Sequence, residues 1–132
     1  MIDDYEVWRR FISSELEQRP EFRIVGEAAD GLEAVQKVQE LQPDLIVLDI
    51  GLPKLNGLEA ARRIRDCAPN TRIVFFSENR SRDIAEEAMR IGNGYVVKSG
   101  AARELLSAVE AVLRGKQFFS PSLPAERPPG NK

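Results

Sequence analysis

Three short apolar runs, each closed by one polar residue, limit what this chain can fold into. Leu45-Ile46-Val47-Leu48 ends at Asp49, Ile73-Val74-Phe75-Phe76 ends at Ser77, and Tyr95-Val96-Val97 ends at Lys98. A run that is apolar on both parities is a strand buried on both faces, which a parallel sheet between two helical layers demands. The segments between these runs carry apolar residues at helical spacing. Gly31 to Gln42 has Leu32, Val35, Val38 and Leu41 and is stopped by Pro43. Leu58 to Cys67 stops at Ala68-Pro69-Asn70, Ser81 to Ile91 stops at Gly92 to Gly94, and Ala101 to Arg114 carries Leu105, Leu106, Val109, Val112 and Leu113. Upstream, Tyr5 to Gln18 reads as a helix and Phe22 to Gly26 as a further strand. The alternation predicts right-handed crossovers and an α/β fold, a parallel sheet covered on both faces. In such folds ligands bind beyond the carboxyl ends of the strands.

Composition narrows the chemistry. The 132 residues suit one domain. The net charge of -2 gives no electrostatic case for nucleic-acid binding by this chain alone. No apolar run approaches the roughly 20 residues of a membrane span. Asp3 and Asp4 open the chain without a signal peptide, and the single Cys67 cannot form an internal disulfide. These features point to a cytoplasmic protein with no membrane partner. The chain has no histidine, which excludes Ser-His-Asp and Cys-His catalysis and His-ligated zinc. Its chemistry must come from carboxylates, hydroxyls, lysines and the backbone. Beyond Gly115 the periodicity stops, and four of the eight prolines are Pro121, Pro124, Pro128 and Pro129. The expected division is a domain over 1–118 and a Pro-rich linker or disordered tail over 119–132.

Four polar signals belong to one sheet edge: the acidic pair Asp3-Asp4 before the first helix, Asp49, Ser77 and Lys98. Three carboxylates do not stay ionised side by side without a cation. A hard divalent ion such as Mg²⁺ takes oxygen ligands. With that charge balanced, Asp49 can act as a nucleophile toward phosphorus, and Lys98 and Ser77 can stabilise the charge developing on the phosphoryl oxygens. The blander readings are that Asp3-Asp4 caps the first helix, Ser77 caps the next segment, Tyr95 is plain core and the Arg62, Arg63, Arg65 run is a solvated helix face.

Together, Asp3-Asp4, the stretch from Leu48-Asp49-Ile50-Gly51-Leu52-Pro53 to Lys54-Leu55-Asn56-Gly57, Ser77, and Tyr95-Val96-Val97-Lys98-Ser99 resemble a response-regulator receiver domain of two-component systems, of the NarL/FixJ type. The resemblance runs from Met1 to about Ser122. It implies a flavodoxin-like, doubly wound (β/α)5 three-layer fold. It implies that Asp49 accepts a phosphoryl group from a histidine kinase. Asp3, Asp4, Asp49 and the Gly51 backbone carbonyl would hold Mg²⁺, and Lys98 would contact a phosphoryl oxygen. Ser77 and Tyr95 would be the switch pair, and a homodimer is among the expected partners. Gly115-Lys116-Gln117-Phe118-Phe119-Ser120-Pro121 resembles the linker to a LuxR-type helix-turn-helix, so DNA binding and transcriptional control would belong to a longer parent protein.

The sequence departs from that family at two points. The family places an apolar strand of about five residues before the acidic pair, whereas only Met1 and Ile2 precede it here. Losing three or four buried aliphatics at about 1.5–3 kcal/mol each amounts to roughly 5–12 kcal/mol, as large as a domain's stability. The first strand is therefore expected to be truncated. A start further upstream is the favoured explanation, ahead of a rearranged sheet or a strand borrowed from a second copy. Ser99 also stands where many receivers have proline, and Asn79 stands where members vary and would tune the lifetime of the phosphoryl group. Two other functions compete with the phospho-switch. One is a phosphorylation-independent pseudo-receiver that acts as a protein-interaction module. The other is a phosphatase with an aspartate nucleophile, a class that has a second Asp where this chain has Gly51.

Overall fold

The computed structural model describes residues 6–17, 28, 30–50, 56–78, 81–98 and 101–119. Within them the chain forms α1 (Glu6–Glu17), α2 (Gly31–Leu41), β1 (Leu45–Leu48), α3 (Gly57–Cys67), β2 (Arg72–Ser77), α4 (Arg82–Ile91), β3 (Gly94–Val97), α5 (Ala101–Leu113) and β4 (Phe118–Phe119). Helices α2, α3 and α4 each begin where the sequence supplies a cap. The Asp30 carboxylate accepts from the Glu33 N–H at 2.9 Å, the Asn56 side chain from the Glu59 N–H at 3.0 Å, and the Ser81 hydroxyl from the Ile84 N–H at 3.4 Å. Such caps satisfy N–H groups that have no partner within the helix. Helix α2 ends at Gln42 in the left-handed conformation, just before Pro43.

The four strands pair in parallel in the order β1-β2-β3-β4, with Leu48 opposite Phe75, Ser77 opposite Val97, and Tyr95 opposite Phe119. Alternate residues of every apolar run enter different cores. Ile46, Leu48, Ile73, Phe75, Tyr95 and Val97 pack with α2, α3 and α4 through Ala34, Val38, Ala61, Ile64, Ala85 and Ala88. Val47, Val74, Phe76 and Val96 pack with Leu16 of α1 and with Leu105, Ala108, Val109 and Val112 of α5. The result is the expected three-layer, flavodoxin-like α/β architecture. The expected strand at Phe22 to Gly26 and the shortened one at Met1-Ile2 lie outside the described residues.

The chain end corrects two expectations. Phe118 and Phe119 belong to the sheet, so the boundary placed at 118 falls inside β4. Helix α5 closes in a Schellman motif: Lys116 N–H donates to Ala111 O at 3.0 Å, Gly115 N–H donates to Val112 O at 2.9 Å, and Gly115 has φ 83°. This turn returns the chain to the edge of β3, where Phe118 N–H donates to Asn93 O at 3.1 Å. The strand order keeps advancing from β1 to β4, yet α3 and α4 cover one face and α5 the other. The β3–α5–β4 connection therefore has the opposite hand to the two before it. The crossovers cannot all be right-handed, although that hand is the strong rule for full-length strands.

Candidate functional site

Parallel strands end at the same edge of a sheet, so β1, β2 and β3 bring their following residues together. Asp49 and Lys98 are both buried, with side chains 9% and 5% exposed, and Lys98 Nζ stands 3.5 Å from Asp49 Oδ2. That is an ion pair rather than a tight charge-assisted hydrogen bond, which runs about 2.7–2.9 Å. Burying two charges is costly, and a pair at this distance recovers only part of the cost.

Ser77 is buried at the end of β2, and its hydroxyl is hydrogen-bonded to the phenol of Tyr95 on β3. Tyr95 is fully buried, with its ring tilted 36° to Phe75 at a centroid distance of 6.4 Å. Burial pushes the Tyr95 phenol above its ordinary value near 10, the Ser77 hydrogen bond works the other way, and the nearby Asp49 charge adds to the rise. The structure brings Asp49, Ser77, Tyr95 and Lys98 into one neighbourhood. Asp3, Asp4, Gly51, Asn79 and Ser99 lie outside the described residues. Among the described residues no three acidic, histidine or cysteine side chains stand close enough to hold a metal together. The donors on offer at Asp49 are hard carboxylate oxygens, the type that Mg²⁺ takes.

Three other residues shape this site and its support without having been assigned a role from sequence. Gly57 lies against the peptide that follows Asp49: its N–H donates to Ile50 O at 2.7 Å, and a Cβ here would stand 2.2 Å from Asp49 O and 2.5 Å from Ile50 Cα. The signal was a glycine directly after the Asn56 cap. Phe76, one residue before Ser77, presents its ring to Lys98, with Nζ 5.6 Å from the ring centroid. Arg65, read as part of a solvated face, is instead a clamp below the site. Its guanidinium donates to Ile91 O at 3.0 and 3.2 Å, Thr71 O at 2.9 Å, Pro69 O at 3.1 Å and Asn93 Oδ1 at 3.3 Å. Arg62 and Arg63 are exposed and pair with Glu59 and Glu87, as a solvated face does.

Fold and site define a doubly wound α/β protein whose buried acid, base and hydroxyl meet at the strand ends. The chain belongs to the response regulator receiver domain family, whose family model matches residues 1–110. Within that family it is a NarL/LuxR-type receiver. It is 32% identical to the nitrate/nitrite response regulator NarL of Escherichia coli over 93% of this chain and 57% of NarL. A two-component response regulator of the LuxR family from Aurantimonas sp. superposes with a TM-score of 0.88 at 36% identity, over 92% of this chain and 88% of that one. CheY of Borrelia burgdorferi, solved in complex with CheX, BeF3 and Mg²⁺, superposes with a TM-score of 0.80 at 25% identity, over 85% of each chain. The chain spans 52–59% of the length of the curated relatives DegU, NarL and VraR. Among the described residues no helix is long and apolar enough to cross a membrane.

Proposed function

We propose that this chain is a phosphorylation switch in which Asp49 accepts a phosphoryl group from a histidine kinase. The observation that carries this reading is the buried, loosely paired Asp49 and Lys98 at the strand ends, beside a hydroxyl that is bonded to a buried tyrosine. In the step itself an Asp49 Oδ atom forms a bond to phosphorus while the phosphorus–nitrogen bond to the donor imidazole breaks. The products are an aspartyl phosphate and the donor's imidazole, which leaves with the bonding electron pair and becomes neutral by taking one proton from water. Lys98 meets the charge on the phosphoryl oxygens as that on Asp49 is consumed. Ser77 can donate its hydroxyl to the same group, and because it is also hydrogen-bonded to Tyr95 the phenol would readjust with it. That readjustment links the site to Tyr95 and to β3. Asp3, Asp4, Asp49 and the Gly51 carbonyl are the residues that would hold Mg²⁺, consistent with their oxygen donors and with the Mg²⁺ and BeF3 bound to the related CheY. When bound, the metal supplies positive charge to the transferring group.

The chain catalyses only its own phosphorylation and dephosphorylation. By its likeness to the transcriptional regulatory protein DegU and to a LuxR-family response regulator, its output is transcriptional control through a LuxR-type DNA-binding domain in a longer cytoplasmic parent, with a homodimer among its partners. The test is phosphoryl uptake from a small-molecule donor, which occurs in the parent chain and is absent in Asp49→Asn.

A further inference from the structure

A lysine ammonium sits on four rotatable bonds, so its direction is set by what surrounds it. Lys98 Nζ stands 3.5 Å from Asp49 Oδ2, too far for the carboxylate to fix that direction tightly. The ring of Phe76 also faces the ammonium, with its centroid 5.6 Å from Nζ. That is within the roughly 6 Å over which a ring face attracts a cation. Phe76 itself cannot move far. It is fully buried on β2, an inner strand of the described sheet, and packs with Val47, Val74, Val96 and Leu105 against α5. The ring therefore offers the ammonium a face whose place is set by the core.

We propose that Phe76 is a positioning residue that holds the Lys98 ammonium in place for the phosphoryl group on Asp49. The inference rests on the phospho-acceptor reading above and deepens it. A ring face suits the task because it attracts a cation without carrying a charge. An acidic residue here would neutralise Lys98 and repel the incoming phosphoryl oxygens. A leucine would keep the apolar packing and lose the attraction.

The experiment replaces Phe76 in the full chain by leucine (Phe76→Leu) and by phenylalanines with one, two and three ring fluorines. Fluorination drains the ring face while nearly keeping its shape. Two readouts are taken: the NMR shift of the Lys98 ε-methylene protons, and the rate of phosphoryl uptake from phosphoramidate with Mg²⁺. The expected result is an upfield ring-current shift in the parent that is lost in Phe76→Leu. Uptake falls about three- to tenfold in that variant, and stepwise with each added fluorine at an unchanged unfolding midpoint. Parent-like rates throughout the fluorinated series, or Lys98 protons that ignore the ring, overturn the proposal. If the shift behaves as expected but the parent takes up no phosphoryl group, the ring–ammonium contact stands and the phospho-acceptor reading is what fails.

Discussion

Between Gly57 and the peptide joining Asp49 to Ile50 there is no room for a methyl group. The obstructing atoms are backbone, so they cannot swing aside as a side-chain tip would. Gly57→Ala is therefore expected to push the Asp49–Ile50 peptide out of place and to destabilise the fold by about 1–3 kcal/mol, read as a lower urea midpoint, with slower phosphoryl uptake in the molecules that remain folded. Tyr95 makes a prediction in pH. Its folded-state value lies above that of the unfolded chain, so the folded state holds the phenolic proton more tightly. The resulting stability is fully present below about pH 10 and is lost as pH rises beyond it toward the folded-state value. Unfolding midpoints measured from pH 9 upward should fall more steeply in the parent than in Tyr95→Phe. Parallel slopes would show that the phenol is not held this way. At this scale the residues at strand ends were legible, because a polar residue that closes an apolar run advertises itself. Gly57 and Phe76 were not, because their effects depend on which atoms lie across a tertiary contact.

At the scale of elements, the helices were legible to within a residue or so of their ends, since apolar spacing and the proline and glycine stops mark them. Strand β4 was not legible. Two phenylalanines after a Gly115-Lys116-Gln117 turn form no run, and only the proximity of the β3 edge makes them a strand. Arg65 was misread for a related reason: an arginine on an exposed-looking face can turn toward the carbonyls at neighbouring chain ends. It joins the C-terminus of α3 to the turn between α4 and β3, and Asn93 in that turn also accepts from Ile73 N–H at 3.0 Å. Arg65→Ala would leave the Thr71 and Ile91 carbonyls short of a donor and should cost about 2–3 kcal/mol by chemical denaturation. Arg65→Lys should recover only part of this, because an ammonium cannot reproduce the fork. Arg63→Ala, on the exposed side of the same helix, should stay within about 0.5 kcal/mol of the parent.

For the whole molecule, the two cores and the parallel sheet follow from the alternation of apolar runs with helical segments, and that much of the architecture is written in the order of residues. The sheet converts the order into chemistry by bringing residues 49, 77 and 98 to one edge. The hand of the last crossover was not foreseeable, because it depends on a strand too short to leave a pattern. The chemistry proposed for this edge is phosphoryl acceptance at Asp49. Intact mass after incubation with phosphoramidate and Mg²⁺ tests it most directly. One added phosphoryl group is expected on the parent chain, lost when Mg²⁺ is chelated and absent in Asp49→Asn. No added mass in a folded parent chain, or an equal gain in Asp49→Asn, would contradict it.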